Sequence, residues 1–308
     1  MKLHENTELF NQAVRATAQQ KRLLEIYIEK DYWVTFVLHT IFHHEIGKEA
    51  VFKGGTALSK CYGLIDRFSE DIDLVVLRRD GETNNQLTNK IKKISKVVAD
   101  VIPEVQVEGV THKMGMNRKT AHSYTKVFEG NYGQVRDVII VEATWLGYHE
   151  PYINKDVSSY IYEMMVQSGQ QKLADEYGLL PFDLMVLDVR RTLCEKIMSL
   201  VRFSNSENPI EDLNNKIRHC YDINRLLQDK DIRSFFYSKE FDSLLLKVAQ
   251  DDIESYKSGN EWLNYHPKQA IIFSQPDETW GQMKNTYQGI FKDLVYGELP
   301  DEDKILSS

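Results

Sequence analysis

Cysteine is scarce in this chain: three in 308 residues, Cys61, Cys194 and Cys220, each in an apolar helical setting and none at CxxC spacing. That excludes a disulfide-stapled scaffold and a cysteine zinc site, and marks all three as reduced core residues. His219 has no second histidine at ligand spacing, so zinc is not expected there either. Long uncharged apolar runs are missing, and with them any expected transmembrane helix. The opening MKLHENTELF lacks the apolar segment of a secretory leader, which leaves the cytoplasm as the expected address, with no membrane partner. Positive charge is in deficit as well. A formal net charge of -8 excludes a protein that coats nucleic acid by bulk electrostatics, though it leaves room for a local basic groove. The cations available for one are Lys90, Lys92, Lys93 and Lys96, then Lys113, Arg118, Lys119 and Lys126, then Arg190 and Arg191; a solvated helix face is the plainer reading of the first cluster. No internal repeat or low-complexity tract appears.

What is present is enough chain for two modest domains, or for one with a helical appendage. Its most informative stretch runs from Val51 to Val76. Ala50-Val51-Phe52 reads as a short buried strand. Gly54-Gly55-Thr56 turns into a segment whose apolar residues, Ala57, Leu58, Cys61, Tyr62 and Ile65, recur at helical spacing. After the polar turn Arg67-Phe68-Ser69-Glu70, Asp71-Ile72-Asp73-Leu74-Val75-Val76 is strand-like again. Alternation sends Asp71 and Asp73 to one face and Ile72 and Leu74 into the core. Two neighbouring carboxylates repel unless a cation lies between them, and hard divalent ions such as Mg²⁺ take oxygen ligands. Two glycines let the backbone approach a bulky anion, and a following helix N-terminus offers free N–H groups to phosphate. A phosphate cradle facing a carboxylate pair is what phosphoryl or nucleotidyl transfer requires. Either half alone has a bland reading, a surface turn of charge or a tight bend; the ordered set is more specific.

That ordered set, strand–GGT–helix–RxSxDxD–strand, resembles the nucleotidyltransferase superfamily with the DNA polymerase β-like fold. More closely it is similar to the AbiEii/AbiGii toxin family, the nucleotidyltransferase half of type IV-like toxin–antitoxin and abortive-infection systems. There GGT replaces the commoner Gly-Ser pair, and the Arg-x-Ser-x-Asp-x-Asp run stands unbroken from Arg67 to Asp73. EKDYW, Glu29 to Trp33, is also typical of the family, although a helix packed on the sheet explains its aromatics equally well. The resemblance implies an α+β fold: a polymerase β-like nucleotidyltransferase core, with a mixed twisted sheet and flanking helices, plus a C-terminal helical domain. Residues 1–160 are expected to form the core with its N-terminal helices, and 161–308 the helical domain closing the active-site cleft.

Along the chain, residues 6–22 and 22–44 read as helices, and Leu87 to Ile102 as a third, ended before Pro103. Glu104 to Gly109 reads as a strand and His112 to Arg118 as an irregular basic loop. Ala121 to Phe128 and Arg136 to Leu146 then form two strands joined by the hairpin signature Glu129-Gly130-Asn131-Tyr132-Gly133. Val138, Ile140, Glu142 and Thr144 share a face of the second. A carboxylate inside an apolar strand is costly unless a metal or a cation pairs it. Folds of the resembled superfamily supply a third carboxylate from a later strand, which makes Glu142 the candidate metal ligand beside Asp71 and Asp73; the alternative is a salt bridge to a nearby lysine. Residues 151–171 read as a linker with a Tyr-rich helix, and Pro181 opens the helical region. In its first helix, Leu184 to Phe203, Lys196 stands in LCEKI, where the family expects a lysine that reaches the nucleotide phosphates. In the next, Ile210 to Gln228, Arg218-His219-Cys220-Tyr221-Asp222 matches the family's final motif, whose aspartate lies at the active site; an intrahelical Arg218–Asp222 ion pair is the plain alternative. Further helices follow, Ile232 to Tyr237, Phe241 to Ser258 and Pro276 to Leu294, anchored by Trp262, Trp280, Tyr287 and Phe291.

The expected chemistry is transfer of a nucleoside monophosphate from an NTP to an acceptor, with release of pyrophosphate. Asp71, Asp73 and Glu142 would hold one or two Mg²⁺ ions, Gly54, Gly55 and Thr56 the phosphates, and Lys196 the charge on the transferred or leaving group. Arg67 and Ser69 would shape the turn and touch phosphate from its edge, with Asp222 completing the site. Relatives imply an RNA acceptor such as a tRNA 3′ end, and a cognate AbiEi-like antitoxin that need not touch the chain. Transfer to a protein or small-molecule hydroxyl, or a nucleotide-binding module without turnover, are the alternatives.

Overall fold

Alternating apolar and acidic residues after Glu70 place a strand at the centre of a mixed sheet. In the computed structural model, which describes residues 1–113, 115–130, 135–255 and 261–307, the chain forms two compact units: Met1–Cys61 with Phe68–Val186, and Tyr62–Arg67 with Leu187–Ser308. The first unit holds the strands β1 (Ala50–Lys53), β2 (Ile72–Val76), β3 (Glu104–Val105), β4 (Asn117–His122), β5 (Ile139–Thr144), β6 (Tyr152–Val157) and β7 (Phe182–Leu187, its last residue counted with the second unit). Their order is β3-β4-β5-β2-β1-β7-β6. β1 runs antiparallel to β2 and parallel to β7, β2 runs parallel to β5, and β5 pairs antiparallel with β4. This is an α+β fold with a mixed sheet, as the resemblance implies.

Helices of the first unit are α1 (Thr7–Lys21), α2 (Glu25–His43), α3 (Gly54–Lys60), α4 (Asn84–Ala99), α5 (Tyr160–Gln167) and α6 (Gln171–Glu176). A capping box between Thr83 and Gln86 starts α4, satisfying two N–H groups that a helix end leaves open. α2 is buried on nearly all sides, and its charges are matched one by one. Glu29 accepts from the backbone N–H groups of Val127 (2.8 Å) and Phe128 (3.1 Å). Lys30, fully buried, pairs with Glu70 and donates to the Val138 carbonyl at 2.8 Å. Asp31 pairs with Lys60 at 2.5 Å and accepts from the Tyr160 N–H. EKDYW is therefore the set of polar ties by which α2 fixes the loops around it.

The second unit holds α7 (Val189–Ser204), α8 (Pro209–Asn215), α9 (Ile217–Gln228), α10 (Lys230–Phe236), α11 (Lys239–Ser255), α12 (Ile271–Ser274), α13 (Pro276–Thr286) and α14 (Glu302–Leu306). Trp262, Trp280, Tyr287 and Phe291 are buried as expected. No helix among the described residues is long and apolar enough to cross a membrane.

Several boundaries differ from the sequence expectation. Residues 161–186 pack with the first unit, because Phe182 to Leu187 form a strand beside β1 and not the start of a helix. A buried strand reads as a continuous apolar run, indistinguishable by periodicity from a helical one. β6 replaces part of the expected linker, and β4 begins at Asn117, inside the expected basic loop. β4 and β5 do pair antiparallel, from Asn117↔Thr144 to His122↔Ile139; residues 131–133 of the hairpin signature and 256–258 of the expected late helix lie outside the described residues.

Candidate active site

β1 ends at Lys53, and the backbone turns at Gly54 with φ +83° directly into α3. A side chain at Gly54 would run into the Asp73 carboxylate, so glycine is required both for the left-handed backbone and for the close approach. Gly55 opens the first turn of α3, where backbone N–H groups have no helical acceptor. Thr56 is buried, and its hydroxyl donates to Ser69 Oγ at 3.0 Å. This bond ties α3 to the loop ahead of β2, so Thr56 and Ser69 shape the cradle from behind.

Asp71 lies at the mouth of β2 and Asp73 one alternation further, while Ile72 and Leu74 are buried on the opposite face. Asp73 is in register with Lys53 on β1 and with Glu142 on β5, and Glu142 is in register with Lys119 on β4. One row of side chains thus crosses four strands with charges plus, minus, minus, plus. Burial first, then the negative charges of Asp71 and Glu142, push the Asp73 carboxyl up to about 7. Burial also works against Glu142, but Lys119 Nζ at 2.9 Å and Asn117 Nδ2 at 2.7 Å hold it below its ordinary value. Asp71 Oδ1 is buried with no hydrogen-bond donor, and Arg136 approaches it only to 3.9 Å.

These residues fit a divalent cation on their own chemistry: two oxygen-donor side chains on one strand, one with an orphaned oxygen and one destabilised by its negative neighbours. Among the described residues, no group of three or more His, Cys, Asp or Glu side chains converges at metal-holding spacing. The first unit thus brings Gly54, Gly55, Thr56, Ser69, Asp71, Asp73 and Glu142 together.

The remaining candidates, Arg67, Lys196 and Asp222, meet in the second unit. Asp222 on α9 is completely buried and accepts two bonds from Arg67, Nε to Oδ1 and a terminal nitrogen to Oδ2, both 2.7 Å. Lys196 on α7 reaches Oδ2 of the same carboxylate at 2.7 Å. Burial alone would raise the Asp222 pKa, but the two cations pull it far below the usual carboxylate range. The Asp222 carboxylate is held by Arg67 and Lys196. Arg67, 3% exposed, is anchored inside the unit and does not offer its guanidinium at an edge. Its neighbour Asp66 pairs with Arg225 at 2.5 Å and donates its N–H to Tyr221 Oη at 3.2 Å.

A sequence model of the AbiEii nucleotidyl transferase toxins, of the type IV toxin–antitoxin system, matches residues 36–307. The chain belongs to the AbiEii family. It is accordingly a nucleotidyltransferase toxin, with a nucleotide substrate and an antitoxin partner implied. Two solved structures are similar to this AbiEii chain over most of its length, both at 14% identity. JHP933 from Helicobacter pylori covers 87% of this chain and 93% of its own, with a TM-score of 0.39. MenT4, the nucleotidyltransferase toxin Rv2826c from Mycobacterium tuberculosis H37Rv, covers 90% and 98%, with a TM-score of 0.40. No curated protein matches.

Three charged residues of this AbiEii site were not placed beside the carboxylates by the sequence, though Lys119 stood among the cations available for a basic groove. Lys53 was hidden as the last residue of a short strand, Lys119 among loop cations, and Arg136 at an expected strand start. Only the register of β1, β2, β5 and β4 brings Lys53 and Lys119 into the row. The basic clusters proposed for a groove are largely paired: Lys90 with Glu49 and Glu82, Lys96 with Asp100, Lys126 with Asp137, Arg190 with Asp188, and buried Arg191 with Asp251.

Proposed function

We propose that this AbiEii toxin transfers a nucleoside monophosphate from an NTP to a hydroxyl of an RNA acceptor such as a tRNA 3′ end, in a divalent-metal-dependent reaction. The acceptor oxygen attacks the α-phosphorus, the bond from that phosphorus to the bridging oxygen breaks, and pyrophosphate leaves. Asp71 and Asp73 would hold the metal, which when bound draws charge from the triphosphate and its leaving group. Gly54 lets the backbone come up against Asp73, so that a phosphate lying on the start of α3 is adjacent to the carboxylate pair. Asp73, beside the place proposed for the acceptor hydroxyl, would also help to activate that hydroxyl. The family resemblance gives Lys196 the role of an ammonium for phosphate charge; within the second unit Asp222 pairs with it and Arg67 holds Asp222 in place. The RNA class comes from the family resemblance, as does functional pairing with an AbiEi-like antitoxin that need not touch the toxin.

The observation that carries this reading is the closeness of Gly54 to the Asp73 carboxylate, itself in register with a second acidic residue. Labelled NTPs, Mg²⁺ and either total RNA or protein extract test it. Label is expected in RNA, lost on chelation and lost in the Asp71→Ala/Asp73→Ala variant, which should remain folded. Label confined to a protein band would assign the acceptor to protein instead, and toxicity surviving the double substitution would point to a binding module.

A further inference from the structure

We infer that Glu142 is not a metal ligand but the counter-ion of Lys119, and that this pair sets the electrostatic field under which Asp71 and Asp73 bind their metal; the inference rests on the metal-site reading above. β5 lies between β2 and β4 in the sheet, so Glu142 has Asp73 on one side and Lys119 on the other. Both of its oxygens are engaged from the β4 side: Oε1 by Asn117 Nδ2 at 2.7 Å and Oε2 by Lys119 Nζ at 2.9 Å. The carboxylate is therefore drawn away from the aspartates. Among the described residues no three-member ligand group forms, as expected when the third carboxylate is turned to a cation. By contrast, Asp71 Oδ1 is buried without a donor, so the two carboxylates differ in what is left for a metal to satisfy.

The row Lys53, Asp73, Glu142, Lys119 then has a definite logic. Strands lie about 4.8 Å apart, close enough for each charge to act on its neighbour through a partly desolvated face. Glu142 alone would make the aspartate pair more negative and bind a cation more tightly. Lys119 cancels most of that contribution. The pair is a brace that is nearly neutral as seen from Asp73, and Lys119 and Glu142 are positioning residues. A ligand and a brace respond differently to double substitution, which makes the distinction measurable without turnover.

The test is Mn²⁺ binding to the full-length chain, followed by the electron paramagnetic resonance of free Mn²⁺, with thermal melts to verify folding. Glu142→Gln leaves Lys119 unopposed next to Asp73 and is expected to weaken binding about tenfold, and Lys119→Met to tighten it about tenfold. Lys119→Arg should bind as the wild type does. The variant Glu142→Gln/Lys119→Met should return to within about threefold of wild type, as compensating charges do in a mutant cycle. This variant leaves neither Glu142 nor Lys119 as an unpaired charge, and compared with wild type alone it decides the matter if either single substitution fails to fold: a loss of about tenfold or more then marks Glu142 as a ligand. If it loses affinity as far as Glu142→Gln does, Glu142 is a ligand and the inference is overturned. Affinity unchanged in both single variants overturns it too. Wild-type binding that survives Asp73→Asn and Asp71→Asn would instead bring down the metal-site reading, and this inference with it.

Discussion

Gly54 and Asp73 constrain each other closely. The glycine has φ +83°, and the space a side chain would need holds the Asp73 carboxylate. Gly54→Ala therefore meets backbone strain and a displaced carboxylate together. We expect a stability loss of about 1–3 kcal/mol, and a fall in nucleotidyl transfer of about 100-fold, the usual consequence of moving a reacting group by about an ångström. Thermal melts and initial rates read the two effects separately; a variant with full activity would show that the approach is incidental. Asp73 also gives a pH signature. Its folded pKa is raised to about 7 above an unfolded value near 4, so the folded state binds the extra proton between those limits. Its stabilising contribution is present below the lower value and lost as pH rises through about 7. Without divalent metal, melting temperature should fall across that window, and Asp73→Asn should flatten the fall. An identical pH profile in the variant would assign the dependence to other buried acids, such as Asp31 and Glu70, whose pKa values burial also raises.

At the level of elements, the second unit concentrates its buried charge where α7 and α9 meet the short segment Tyr62–Arg67. Removing one member of a buried ion group leaves the others uncompensated, at a cost of about 3–5 kcal/mol. Asp222→Asn strands both Arg67 and Lys196 and should show that full cost in urea unfolding. Lys196→Met leaves Asp222 its paired bonds from Arg67, so the expected loss is one charge-assisted bond, about 1.5–3 kcal/mol. Equal costs for the two substitutions would mean that Arg67 is not the principal partner. Much of the first unit's candidate site was legible from local pattern: alternation placed Asp71 and Asp73 on one face, and the glycine turn and α3 follow from residues within a dozen positions. The Arg67–Asp222 bond, spanning 155 positions, was not, since nothing local distinguishes a buried arginine from one that contacts phosphate. Glu142 was correctly placed on a strand beside Asp73, yet its partner on β4 depended on a register that no single strand encodes. β7 is hard to read for a different reason: its burial alternates from Phe182 to Val186, but Leu184-Met185-Val186-Leu187 is an unbroken apolar run in the sequence, and such a run does not separate a strand from a helix.

For the whole molecule, the question is how a chain of net charge -8 would recruit the polyanionic acceptor proposed for it. Many of the lysines and arginines that looked available are neutralised by acidic neighbours, so few phosphates can be contacted at once. Each contacted phosphate on a single strand contributes a slope of about -0.7 in log affinity against log salt. If about three are contacted, affinity for RNA should fall about 20-fold between 50 and 200 mM salt; a surface that coats RNA with about eight contacts would lose about 2,000-fold. Filter binding of the inactive Asp71→Ala/Asp73→Ala variant across that range measures the slope without turnover. A shallow slope is what an acidic protein gripping a single RNA end requires. A slope steeper than about -5 would demand an extended basic track, which the pairing of Lys90, Lys96, Lys126 and Arg190 with their acidic neighbours does not provide.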